Sequence, residues 1–137
     1  MSKANLLFKR MVVLGVVVVC IAWLSAPASA QGGCASANTS VYPYTAHPGQ
    51  AVAIASFIPN CSGGKARYIV EHIHTDACGV RRTLSSIRLT FAAGQTRFVS
   101  VSYIVPPDAC LGAGSETVNV YGGSLLASAS APLTVAW

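Results

Sequence analysis

Two histidines one residue apart, His72 and His74, offer the clearest chance of chemistry in this 137-residue chain. On an extended strand, residues two apart point to the same face, so the two imidazoles would stand side by side. Paired imidazoles can bind copper or zinc. A protein metal site normally takes three or four ligands. The further candidates are His47, the only other histidine, and the nearby carboxylate of Asp76. The expectation is a partly exposed sheet face with no cofactor, and copper or zinc at His72 and His74 is the alternative.

Other routes to catalysis are poorly provided. None of the many serines sits in a Gly-x-Ser-x-Gly elbow, which is the turn that would expose a nucleophile. The four acidic residues, Glu71, Asp76, Asp108 and Glu116, are scattered, so a working carboxylate pair is not expected. Cys20 lies in the N-terminal apolar run. The other four cysteines, Cys34, Cys61, Cys78 and Cys110, are an even number in a short chain and read as two disulfides, which leaves no thiol nucleophile. No Cys-x-x-Cys pair points to a redox or zinc motif. The chain is not expected to be an enzyme.

The N-terminus has the three parts of a secretory signal peptide. Lys3, Lys9 and Arg10 give the positive region, Met11 to Leu24 the apolar run, and Ala28 and Ala30 the small residues before a cleavage site after Ala30. The run is shorter than the roughly 20 residues of a spanning helix, so no membrane span is expected after cleavage. Residues 1–30 are thus read as the signal and 31–137 as one domain. The formal charge of +5 is inflated by the signal. Residues 31–137 keep six Lys and Arg against four acids, a net of +2, which gives no basic stripe for nucleic acid. Export places the domain in the periplasm, outside the cell or on its surface, where disulfides persist.

The elements that must position these groups are strands. Val52, Ile54 and Ile58 share one parity. So do Tyr68, Val70 and His72; Ile87, Leu89 and Phe91; and Val99, Val101, Tyr103 and Val105. Val118 and Val120 follow, then Leu125, Ala127, Ala129, Ala131, Leu133, Val135 and Trp137. Alternation of this kind is the strand signature. Turn residues separate the runs: Pro48-Gly49, Asn60 to Gly64, Asp76 to Gly79, Ala92 to Gln95, Pro106 to Ser115, and Gly122-Gly123, which suits a two-residue hairpin. With a first strand near Ser36–Tyr42, the count is seven. The expected fold is all-β, a seven-stranded antiparallel immunoglobulin-like β-sandwich with two disulfides. Pro132 lacks an N–H, so the last strand should be an edge, or bulge, at that point.

If each strand crosses the sandwich once, Cys34 and Cys61 fall at one end and Cys78 and Cys110 at the other. Parity therefore pairs Cys34 with Cys61 and Cys78 with Cys110. The same count gathers Tyr44 and His47, Arg81 and Arg82, and Asp108 in three loops at the second end. Loops carry binding on such scaffolds, and Tyr and Arg are favoured contact residues. Asn38-Thr39-Ser40 and Asn60-Cys61-Ser62 match the glycosylation pattern.

The run Gly49-Gln50 to Asn60, the Cys78-Gly79 and Gly94-Gln95 turns and the closing strand Leu133–Trp137 resemble bacterial immunoglobulin-like modules of the cell-adhesion-related kind. That resemblance implies a non-enzymatic exported protein used in adhesion, surface assembly or protein–protein interaction, its partner another protein or a cell-surface component. An early Cys34 paired to Cys61 and a terminal aromatic strand are also similar to chaperone–usher fimbrial subunits, which makes a fimbria-like subunit a further alternative. The second cysteine pair and the complete strand set depart from that pattern. The His-x-His strand looks like copper-zinc superoxide dismutase, but the further histidines that family needs are missing after His74.

Overall fold

A computed structural model describes residues 33–137, and the expected signal at 1–30 lies outside the described residues. Eight strands follow one another: β1 (Asn38–Tyr42), β2 (Thr45–Ala46), β3 (Ala51–Pro59), β4 (Ala66–Thr75), β5 (Arg81–Phe91), β6 (Thr96–Ile104), β7 (Gly112–Tyr121) and β8 (Leu125–Val135). They form a three-stranded sheet, β1-β3-β6, and a five-stranded sheet, β2-β8-β7-β4-β5.

Alternation decides which side chains meet between the sheets. Val52, Ile54, Ser56 and Ile58 of β3 are buried, as are Tyr68, Val70, His72 and His74 of β4. Glu116, Val118 and Val120 of β7 and Ala131, Leu133 and Val135 of β8 complete the inner layer. One apolar cluster packs Ile58 and Val99 of the first sheet against Tyr68, Val70, Phe91, Val118 and Val120 of the second. Another joins Val52, Val105, Ala109, Leu133 and Val135 at the opposite end. Burial of these side chains is the main force holding the two layers together.

Three expectations need correction. The strand count is eight, because Thr45 and Ala46 form a short strand beyond Tyr42. The pairing is not wholly antiparallel, since β2 lies parallel to β8, Thr45 against Thr134 and Ala46 against Val135. The reason is directional. The chain leaves β1, crosses to the other sheet without reversing, and meets the last strand, which runs the same way. The Gly122-Gly123 turn is a three-residue connection, Gly122 to Ser124, with a register shift at Val120/Tyr121 that absorbs the extra residue.

Pro132 pairs with Ser115 of β7, while β2 reaches β8 only at Thr134 and Val135. Its missing donor therefore falls on an open stretch of edge. Disulfides close both ends: Cys34 to Cys61, 27 residues apart, and Cys78 to Cys110, 32 apart. Among the described residues no helix is long and apolar enough to cross a membrane.

Candidate functional site

His72 and His74 do not lie on a partly exposed face. They are 0% and 2% exposed, sealed between the sheets. The sheet order explains this, because β4 is flanked by both β5 and β7 and its inner face is roofed by β3 and β6. Register places His74 opposite Glu116 and His72 opposite Val118. His74 Nδ1 donates to Glu116 Oε1 at 2.6 Å. Tyr103 reaches across from β6, and its hydroxyl donates to the same oxygen. His72 Nε2 lies 2.9 Å from the hydroxyl of Ser56 on β3, which in turn lies 3.0 Å from that of Thr39 on β1.

These contacts tie the two sheets together by polar bridges. They do not satisfy every atom, since His72 Nδ1, His74 Nε2 and Glu116 Oε2 have no partner among the described residues. Unpartnered buried polar atoms are costly. Burial pushes the His72 imidazole below the ordinary histidine range, and the charge of Glu116 opposes that only in part. Burial also drives the Tyr103 hydroxyl far upward, helped by its hydrogen bond to Glu116 and the charge there. The phenol stays protonated and is a donor at every physiological pH. The histidine pair thus belongs to an inward polar cluster whose outer members, Thr39 and Tyr103, are half-buried.

Among the described residues, the group of potential metal ligands drawn within 4.8 Å of one another is Asp76, Cys78 and Cys110, and its two sulfurs are already bonded to each other. His72, His74 and Glu116 do not converge in this way. Burial acts to raise the Asp76 carboxyl, but backbone N–H groups of Val80, Cys78 and Cys110, with His74 nearby, hold it below its ordinary value. Asp76 Oδ1 accepts from the N–H of Cys78 at 3.0 Å and of Val80 at 2.9 Å, so it shapes the turn that presents Cys78.

The five residues expected at the loop end are only partly brought together. Arg82 and Asp108 form an exposed ion pair at 3.7 Å, a contact of small energetic value. Tyr44 is exposed between β1 and β2, and its carbonyl accepts from the N–H of Thr134. His47 is exposed beyond β2, its N–H bonded to the Gln50 side chain. Arg81 is exposed and faces Thr75 across β4–β5. One glycosylation match is closed in the fold. Asn60 is 1% exposed, and its amide nitrogen donates to the carbonyls of Gly64 and Ala92.

Sequence reading missed the outer face of the three-stranded sheet. The middle strand, β3, turns Ala51, Ala53, Ala55, Phe57 and Pro59 outward. On β6 the outward residues are Thr96, Phe98, Ser100, Ser102 and Ile104. On β1 they are Asn38, Ser40 and Tyr42. No charged residue stands among them. Arg97 is on the opposite parity, reaching instead to the carbonyl of Thr90, its guanidinium over the Phe91 ring. Phe57 and Phe98 pair directly and their rings stack at a tilt, 5.1 Å apart. Both are at least half exposed, and Tyr42 is 78% exposed. The signal was available: Ala51, Ala53, Ala55 and Phe57 are the other parity of the run whose inner residues were read as core.

No family model matches the sequence, and no curated protein sequence matches it. Solved structures do match in fold. An alkylpurine DNA glycosylase of Pseudomonas fluorescens, solved bound to DNA, aligns with a TM-score of 0.65 at 12% identity over 77% of this chain and 31% of its own. A β-glucosidase of Listeria innocua, in complex with glucose, aligns at 0.62 and 12% over 77% of this chain and 16% of its own. The CARDB domain of a Pyrococcus furiosus protein, solved with two metal ions, aligns at 0.59 and 8%, over 77% of this chain and 90% of that domain. The described chain thus spans under a third of the first two proteins and nearly all of the third. At these identities the likeness is one of fold: a generic β-sandwich.

Proposed function

We propose that this chain is a non-enzymatic exported binding module, serving adhesion, surface assembly or protein interaction through a face of its sandwich. One contrast carries the reading. The ionisable groups His72, His74 and Glu116 are buried between the sheets, with the part-buried Tyr103 bonded to Glu116, while exposed aromatic rings are gathered outside on a surface without charge. That contrast favours a partner at the second set over a substrate at the first. Two disulfides fit an oxidising compartment, and the fold likeness to a CARDB domain fits a sandwich module. The partner would be another protein or a component of the cell surface.

The test is saturable binding. The exported chain, produced from its full precursor and labelled, should bind the envelope of its source cell and be displaced by excess unlabelled protein. Binding that never saturates, or turnover of a substrate by the purified chain, would overturn the reading.

A second reading draws on the unpartnered nitrogens of His72 and His74, which a copper or zinc ion would satisfy. Zinc and copper titration of the wild type against His72→Ala decides it, and equal affinities would remove it.

A further inference from the structure

We propose that the charge-free outer face of β1, β3 and β6 is a seat for a neutral polysaccharide chain. The inference rests on the binding-module reading and names the chemistry of its ligand. The alanine row of β3 runs down the middle of the face, and a depression at one end is lined by Tyr42, Pro43, Gln50, Ala51, Ala53 and Ser102. The stacked rings of Phe57 and Phe98 stand near the other end. Tyr42 pairs with Ala53 and Phe57 lies four residues further along β3. The two aromatic stations are therefore about 13 Å apart at the strand rise of roughly 3.3 Å per residue.

Three physical arguments select the occupant. The first is charge. Nucleic acid and anionic lipid need Lys or Arg at the contact, and this face has none. The exposed charges Arg67, Arg81 and Arg88 stand on the other sheet. A neutral ligand loses nothing here, and a charged one would be desolvated without a counter-charge.

The second is area. Three strands spaced about 4.8 Å apart, β1 about 16 Å and β3 and β6 about 30 Å long, make a strip only about 14 Å wide. A stable protein interface is by contrast a broad patch of about 800 Å² of accessible surface per partner. The face is thus small for a second copy of this chain and well sized for one narrow polymer. An extended peptide would join a sheet edge through its backbone instead of lying across a face.

The third is the mixture of groups. Aromatic faces carry partial negative charge and attract C–H groups, which sugar rings present on both sides. The exposed hydroxyls of Ser40, Ser100 and Ser102 can hydrogen-bond sugar hydroxyls around them.

The test is retardation of the native exported protein in gels containing a neutral β-glucan, chitin, mannan or starch, with alginate as the anionic comparison. At least one neutral polymer should retard the protein and alginate should not. Phe57→Ala and Ala53→Glu should each weaken that retention at least tenfold. Phe57→Tyr should keep it, and so should Arg88→Ala on the opposite sheet. Thermal unfolding of each variant shows that the fold is intact. The assignment fails if no neutral polymer is bound, if alginate binds equally, or if Ala53→Glu binds as wild type. It fails equally if sedimentation shows a dimer that Ala53→Glu dissolves without any polymer being bound. Saturable envelope binding that survives both Phe57→Ala and Ala53→Glu would remove the polysaccharide and leave the binding module standing.

Discussion

Single residues carry unusual weight where the interior is polar. Asn60 and Tyr68 are the best case. The Tyr68 hydroxyl lies 2.9 Å from Asn60 Oδ1 and 3.0 Å from the Cys34 carbonyl, and its one proton is shared between the two acceptors. Asn60 Oδ1 also accepts from the N–H and hydroxyl of Ser62, while its nitrogen holds Gly64 and Ala92. Together the two side chains join the Cys34 segment, the β3–β4 loop and the β5–β6 turn. Asn60→Ala should cost about 2–4 kcal/mol, since it strands several buried partners at once. Tyr68→Phe should cost less, about 1–2 kcal/mol. Urea unfolding with an unchanged slope checks both.

His72 makes a pH prediction of known sign. Its folded value lies below the ordinary 6.5 because burial disfavours the charged form. As pH falls below that value, the unfolded chain takes up a proton that the folded chain refuses. Stability is then lost progressively until the depressed folded value is passed. His72→Gln keeps a group able to bond Ser56 and removes the titration. Its unfolding midpoint should fall less than that of wild type between pH 7 and 5, and equal falls would show that His72 is not responsible. The cluster around it was partly legible. His72 and His74 drew notice because their types are rare, but Glu116 was left out although it shares the parity of Val118 and Val120. Ser56 likewise shares the parity of Ile54 and Ile58. A polar residue on a core parity has no local marker of burial, and only the sheet order shows that β4, β7, β3 and β6 close over one another.

At the scale of elements, alternation and turn residues were enough to place the long strands, because each is a half-buried ribbon with one apolar parity. Alternation cannot show a two-residue strand. β2 exists because backbone bonds run from the N–H of Thr134 to Tyr44 and from that of Ala136 to Ala46, and those partners lie some 90 residues away. Close packing of β7 on the next segment is equally invisible in sequence. A β-carbon on Gly114 would stand 2.5 Å from the carbonyl oxygen of Thr75 at the end of β4. That contact is with backbone, which cannot rotate away. Gly114→Ala should therefore cost about 1–3 kcal/mol by overpacking. The loss should appear as faster amide exchange at the β4–β7 end beside Cys78. Gly63→Ala, where a β-carbon meets nothing within 4 Å, is the control and should be near neutral.

At the scale of the molecule, the sandwich is a two-sided object. Its five-stranded sheet shows Arg67, Glu71, Arg81 and Arg88 to solvent, and its three-stranded sheet shows rings, alanines and hydroxyls. Such asymmetry survives only if the two faces stay in fixed relation, which the apolar clusters between the layers secure, while a disulfide staples one layer at each end. Cys34–Cys61 ties the segment before β1 to the end of β3, within one layer. Cys78–Cys110 ties the β4–β5 turn to the residues just before β7, and because β4 and β7 are neighbours in the five-stranded sheet this bond also stays within one layer. Closing 27 and 32 residues limits the unfolded chain by similar amounts, about 3.5 kcal/mol each in the chain-entropy model. Because the bonds sit at opposite ends with no shared partner, their removal should be additive. The double variant Cys34→Ala/Cys61→Ala and the double variant Cys78→Ala/Cys110→Ala should therefore lose similar stability. The first should raise amide exchange at the Cys34 end of β1 and β3, and the second at the turn end of β4, β5 and β7, since each bond closes one layer at one end. Matching exchange patterns in the two variants would show that the bonds do not act locally.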